Sequence, residues 1–169
     1  MSINELSVQG MLCDFAEVSG GKLFISGAGI NLIASPVSDG PPYPVNVALA
    51  LLVRIPWTAT NQQHKLKVDL LSDSPGGGPT RVPINAGSAP EGNEEDQGTI
   101  LALFTAGRSP NMQAGEESLM PVALPMPGVP LPVMGSYYFS IFIDGTELDR
   151  VSFRVTSMAN AMAPFGRVA

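Results

Sequence analysis

The chain has 169 residues, 44% of them hydrophobic and only 14% charged, with a formal net charge of −6; that length suits one domain able to bury a core without disulfides or a structural metal. Its 9 Lys and Arg residues are scattered among 15 Asp and Glu, which excludes sequence-independent nucleic-acid binding, because phosphate neutralisation needs clustered basic side chains. No apolar run reaches the length of a membrane-spanning helix, and the low charge density of this acidic chain favours self-association or a protein partner.

The opening Met1-Ser2-Ile3-Asn4-Glu5 has neither a positive n-region nor an apolar h-region, so no cleaved secretion signal is expected. Cys13 is the sole cysteine and cannot close an internal disulfide; the compartment expected is a reducing cytoplasm. Apolar residues at a period of two predict strands from Met11 to Val18 and from Lys22 to Ser26, joined as a hairpin at Ser19-Gly20-Gly21. Gly27-Ala28-Gly29 then interrupts the pattern before Ile30 to Ile33 resumes it, as a bulge or as a short loop between two strands.

Asp39-Gly40-Pro41-Pro42-Tyr43-Pro44 cannot form a ladder and is read as a connection. From Val45 to Ile55 both faces are apolar, which predicts a central strand covered on both sides, with a buried helix as the competitor. Leu66, Val68 and Leu70 alternate with Lys65, Lys67 and Asp69, the pattern of a strand with one dry and one wet face; its expected partner is the preceding strand, across the loop Trp57 to Gln63. The stretch from Pro79 to Gly98, with the acidic cluster Glu94-Glu95-Asp96, is read as a long excursion, and Thr99 to Thr105 as an apolar run of open type.

A short edge strand is expected from Leu119 to Leu124, followed by an extended course through Pro125, Pro127, Pro130 and Pro132. The clearest element is a hairpin from Tyr137 to Val155. Tyr137, Phe139, Ile141 and Ile143 share one face, Asp144-Gly145 supplies a type I′ turn, and Val151, Phe153 and Val155 return, with Arg150, Ser152 and Arg154 pointing the other way. The fold class that follows is all-β: a two-sheet antiparallel β-sandwich, immunoglobulin-like or C2-like, with long Pro/Gly-rich loops, and a barrel as the alternative. One domain is expected over residues 1–155 and a tail over 156–169.

Chemistry is mostly excluded. A catalytic triad would have to use His64, the single histidine, which reads as a solvent-facing strand residue beside Lys65 and has no nucleophile elbow to serve. One His and one Cys cannot furnish a zinc site within one subunit. Asp39, Asp69, Asp73 and the Glu91 to Asp96 cluster could in principle offer oxygen ligands, but with no EF-hand spacing they read as solvated acids in turns. Gly27-Ala28-Gly29 lacks the third glycine and the helix of a dinucleotide loop. No catalytic, cofactor or metal residue is therefore assigned, and the expectation is a non-enzyme. Tyr43, Trp57, Met126 and Met134 are the candidate partner surface, since aromatics anchor interfaces and methionine adapts to them; for Trp57 the plainer reading is a cap on the core.

The segment Met11-Leu12-Cys13-Asp14-Phe15-Ala16, followed by Gly21-Lys22-Leu23-Phe24-Ile25-Ser26-Gly27 and by the closing Asp-Gly hairpin, resembles an uncharacterised bacterial family of actinobacterial type, over about Met11 to Val155. The resemblance implies a shared β fold, with the stretch from Pro79 to Gly98 and the tail after Val155 as the places where this member differs. It carries over no activity, cofactor or site residue. The function expected is a self-associating or protein-binding assembly module of the cytoplasm, a small-molecule or carbohydrate-binding module is second, and a hydrolase using the acidic loop is third.

Overall fold

In the computed structural model the chain is described over residues 5–36, 39–74, 76–84 and 98–158. It is all-β, and its strands run in the order β1 (Ser7–Cys13), β2 (Phe15–Ser19), β3 (Lys22–Ser26), β4 (Leu32–Ser35), β5 (Tyr43–Pro56), β6 (Gln63–Ser74), β7 (Gly78–Val82), β8 (Ile100–Thr105), β9 (Glu117–Leu131), β10 (Gly135–Ile143) and β11 (Thr146–Ser157). A 3-10 turn at Trp57–Ala59 links β5 to β6. The strands form a three-stranded sheet β1-β5-β9, a larger sheet β4-β11-β10-β6-β7 in which β8 also pairs with β6, and the separate β2-β3 hairpin.

The central-strand reading of Val45 to Ile55 holds. β5 lies between β1 and β9 with Val45, Val47, Leu49, Leu51, Val53 and Ile55 buried on one face and Ala48 and Ala50 buried on the other. Those two faces serve two different clusters. The first set packs with Leu66, Val68 and Leu70 of β6, Tyr137, Phe139, Ile141 and Ile143 of β10, and Phe153 and Val155 of β11. The second packs with Cys13, Ala16, Leu23 and Ile25, so the β2-β3 hairpin covers the outer face of the three-stranded sheet. Small side chains on that face let the hairpin sit close to it.

The closing hairpin is also as read. Ile143 pairs with Thr146 around Asp144 and Gly145, both at positive φ (51° and 83°), which is the type I′ geometry. Tyr137 and Phe139 both stack on Phe153, with ring centroids 5.7 and 5.5 Å apart. Each such side chain contributes about 1.5–3 kcal/mol by leaving water. Arg150, Ser152 and Arg154 are exposed on the opposite face.

Several expectations are corrected. The run from Met11 to Val18 is two strands, because β1 ends at Cys13 and joins β5 while β2 turns away after Asp14. The turn geometry demands glycine at Gly27, where φ is +67° and a Cβ would lie 2.1 Å from Asp14 Oδ2. β6 pairs with β10, β7 and β8 and not with β5: the 3-10 turn carries the chain from one sheet to the other. β4 runs parallel to β11, so the larger sheet is mixed rather than wholly antiparallel. The prolines after Leu124 do not end the strand; β9 continues to Leu131 as the edge partner of β5, a place where missing N–H donors are tolerated. The excursion begins later than expected, since Pro79–Val82 belongs to β7, and its acidic cluster lies outside the described residues. β11 runs past Val155 to Ser157, and most of the expected tail also lies outside the described residues.

Candidate functional site

Among the described residues, the most exposed pair of aromatic side chains stands on the β2-β3 hairpin. Ser19 pairs with Lys22, Glu17 with Phe24 and Phe15 with Ser26, around a Gly20-Gly21 turn with both φ values positive (56° and 72°). Alternation then directs Ala16, Leu23 and Ile25 to the sheet beneath and Phe15, Glu17, Ser19, Lys22, Phe24 and Ser26 outward. Phe15 and Phe24 are diagonal neighbours on this outward face, 53% and 50% exposed. Glu17 and Lys22 are exposed beside them. The face is apolar, aromatic and lightly charged.

A second constellation sits where β5 crosses to β6. His64 is buried, 4% exposed, with Nδ1 at 2.7 Å from Asp144 Oδ2 and Nε2 at 2.7 Å from the Ala59 carbonyl oxygen. Its ring lies 5.3 Å from that of Phe104. Both ring nitrogens face acceptors, so both donate, and the ring is an imidazolium paired with a carboxylate. Burial opposes that charge, but the hydrogen bonds to Ala59 and Asp144 outweigh it and hold the His64 pKa above its ordinary value. The hydrogen bond from His64 in turn pulls Asp144 below the usual carboxylate range, helped by the Lys65 N–H. The solvent-facing reading of His64 is therefore overturned. With no free lone pair the ring cannot act as a general base in this arrangement; it clasps the β10-β11 turn to the 3-10 turn.

Arg108 locks the same connection. Its guanidinium lies 3.8 Å over the Trp57 ring, donates to the Trp57 carbonyl at 2.9 Å and reaches Thr60 Oγ1 at 2.9 Å, while its backbone N–H donates to Asn61 Oδ1 at 2.9 Å. On the outer face of the larger sheet, Asp69 is buried against expectation. It lies opposite Ser140, with Oδ2 at 3.3 Å from Lys67 Nζ and 3.5 Å from Arg81, and Oδ1 unpartnered. Beside it Ser140 donates to Glu147, which also holds Arg150 over the Tyr138 ring.

The four residues of the expected partner surface do not come together. Tyr43 opens β5 and Trp57 follows its far end, so the 14-residue strand keeps them on the order of 40 Å apart. Met126 is 2% exposed and belongs to the core, opposite Val47. Met134 lies half-buried between β9 and β10. Sequence reasoning misses Phe15 and Phe24, and the signal that marks them is the polar company each keeps on its strand face. Arg108 carried no such signal, being 51 residues from its Trp57 partner. Among the described residues no three His, Cys, Asp or Glu side chains gather as metal ligands would, and no helix is long and apolar enough to cross a membrane.

A family model described as a family of unknown function (DUF6941) matches residues 9–156. No curated protein matches. Among solved structures, the Pseudomonas fluorescens alkylpurine DNA glycosylase AlkC, bound to DNA containing an abasic site analog, is similar at 8% identity and a TM-score of 0.39. The similarity covers 91% of this chain and 31% of that one, so the chain spans about a third of its length.

Proposed function

We propose, for a chain that belongs to the DUF6941 family of unknown function, that it is a non-enzymatic assembly module which binds a protein partner, in the first place a second copy of itself. The observation that carries this reading is the Phe15 and Phe24 pair, half exposed on a hairpin whose other face is already anchored to the sheet beneath. Large apolar side chains set side by side in water mark contact surfaces, and a chain with 14% charged residues has few means of keeping copies apart. In the same reading the two larger sheets, which share one core, form a sandwich of immunoglobulin-like or C2-like type, and the free, buried Cys13 suits a reducing cytoplasm. A source of actinobacterial type belongs to it as well.

Size-exclusion chromatography with light scattering, run from low micromolar to near-millimolar protein, tests the reading. A mass that rises with concentration is expected. A monomer throughout would overturn self-association.

A further inference from the structure

The exposed face of the β2-β3 hairpin carries more than two aromatic rings. Its six outward residues form a small grid, with Ser19 beside Lys22, Glu17 beside Phe24 and Phe15 beside Ser26. Its two charges are opposite in sign and lie in adjacent rows. Both side chains are exposed, and neither forms an ion pair within the described residues.

We infer that this face is self-complementary and seats a second copy of the chain about a twofold axis, with Glu17 of each copy against Lys22 of the other. The inference rests on the assembly reading above and names its surface. An isologous contact needs a patch that complements itself under a twofold rotation, and a face with one acid, one base and a central aromatic meets that need. With strands about 4.8 Å apart and a rise of about 3.4 Å per residue, the in-plane axis that brings Glu17 opposite Lys22 passes close to Phe24. Phe24 then packs on its own counterpart while Phe15 lies toward the rim. Charge complementarity is what favours a second copy over an unrelated protein, because both unpaired charges are satisfied at once.

The face is small. Strands of five residues give a contact on the order of a few hundred Å² per copy, below the roughly 800 Å² of a standard interface. The dimer is therefore a weak one, populated in the upper micromolar range.

Sedimentation equilibrium on the full chain and its variants tests this. Wild type is expected to shift from monomer toward dimer with concentration. Glu17→Lys and Lys22→Glu, each placing like charges in contact twice, are expected to weaken association by about tenfold or more. An equimolar mixture of the two variants, and the chain carrying both substitutions, are expected to recover it. Phe24→Ser is expected to abolish it, with thermal unfolding unchanged in all variants. If wild type dimerises and every variant dimerises equally, the hairpin face is wrong while assembly stands. Weakening without recovery in the mixture overturns the twofold Glu17–Lys22 pairing. A wild type that stays monomeric overturns both the face and the self-association.

Discussion

The chain builds two hairpins by the same local rule and uses them in opposite ways. The β2-β3 and β10-β11 hairpins each turn through two residues at positive φ, Gly20-Gly21 in one and Asp144-Gly145 in the other, and each alternates apolar with polar side chains. In β10-β11 the aromatics Tyr137, Phe139 and Phe153 point into the main core, and the turn is fastened by His64. In β2-β3 the two phenylalanines point out, and what anchors the hairpin is its smaller residues, Ala16, Leu23 and Ile25. The turn sets the register, but the layer beneath decides which face is dry. One hairpin is committed to stability, and the other leaves its largest side chains half exposed.

The comparison breaks most visibly at the committed hairpin. Phe139→Ala removes a fully buried ring that stacks on Phe153 and is expected to cost about 3–5 kcal/mol, read as a loss of denaturation midpoint in urea. A cost below about 1 kcal/mol would mean that β10-β11 does not carry the core. Next in size is the clasp on its turn. His64→Gln leaves the Asp144 carboxylate without its imidazolium partner and is expected to cost about 1–3 kcal/mol near neutral pH.

The clasp also has a pH signature. Because the folded His64 pKa is raised, its contribution is complete below the ordinary histidine value near 6.5 and is lost as pH rises through the folded value. Asp144 is lowered, so its contribution is complete above the ordinary aspartate value near 3.8 and is lost as pH falls through the folded one. The clasp is therefore strongest between these two ordinary values. Thermal unfolding of wild type is expected to fall from pH 6 to pH 9 relative to His64→Gln, and parallel curves for the two proteins would show that the clasp does not titrate.

Period-two alternation made β5 and the closing hairpin legible, because in both the deciding information is local: a run of apolar residues and, for the hairpin, Asp-Gly between its strands. Parity even held the answer for His64, which shares its side of β6 with Leu66, Val68 and Leu70. The exposed Lys65 next to it masks that signal, because a polar ring beside a lysine reads as solvent-facing. Asp69 shows the opposite limit. It lies on the wet side of β6, and its burial comes from Arg81, 12 residues on, and from the facing strand at Ser140. The partner of β6 was illegible for the same reason: a three-residue turn can either reverse a strand within its sheet or carry it to another, and only the competing strands β8 and β10 decide.

The smallest effect expected is also the sharpest test of the contrast. Phe15→Ser and Phe24→Ser remove rings as large as Phe139, so a reading based on residue type alone gives them the same large cost. Each residue is already about half exposed, and neither belongs to a buried cluster, so little transfer free energy is lost and no cavity forms. Their unfolding midpoints are expected to move by no more than about 0.5 kcal/mol, even in the double variant, where the two diagonal neighbours share no buried partner whose loss would couple them. A cost approaching that of Phe139→Ala would place these rings in the fold's own energetics, and the two hairpins would then differ in topology but not in purpose.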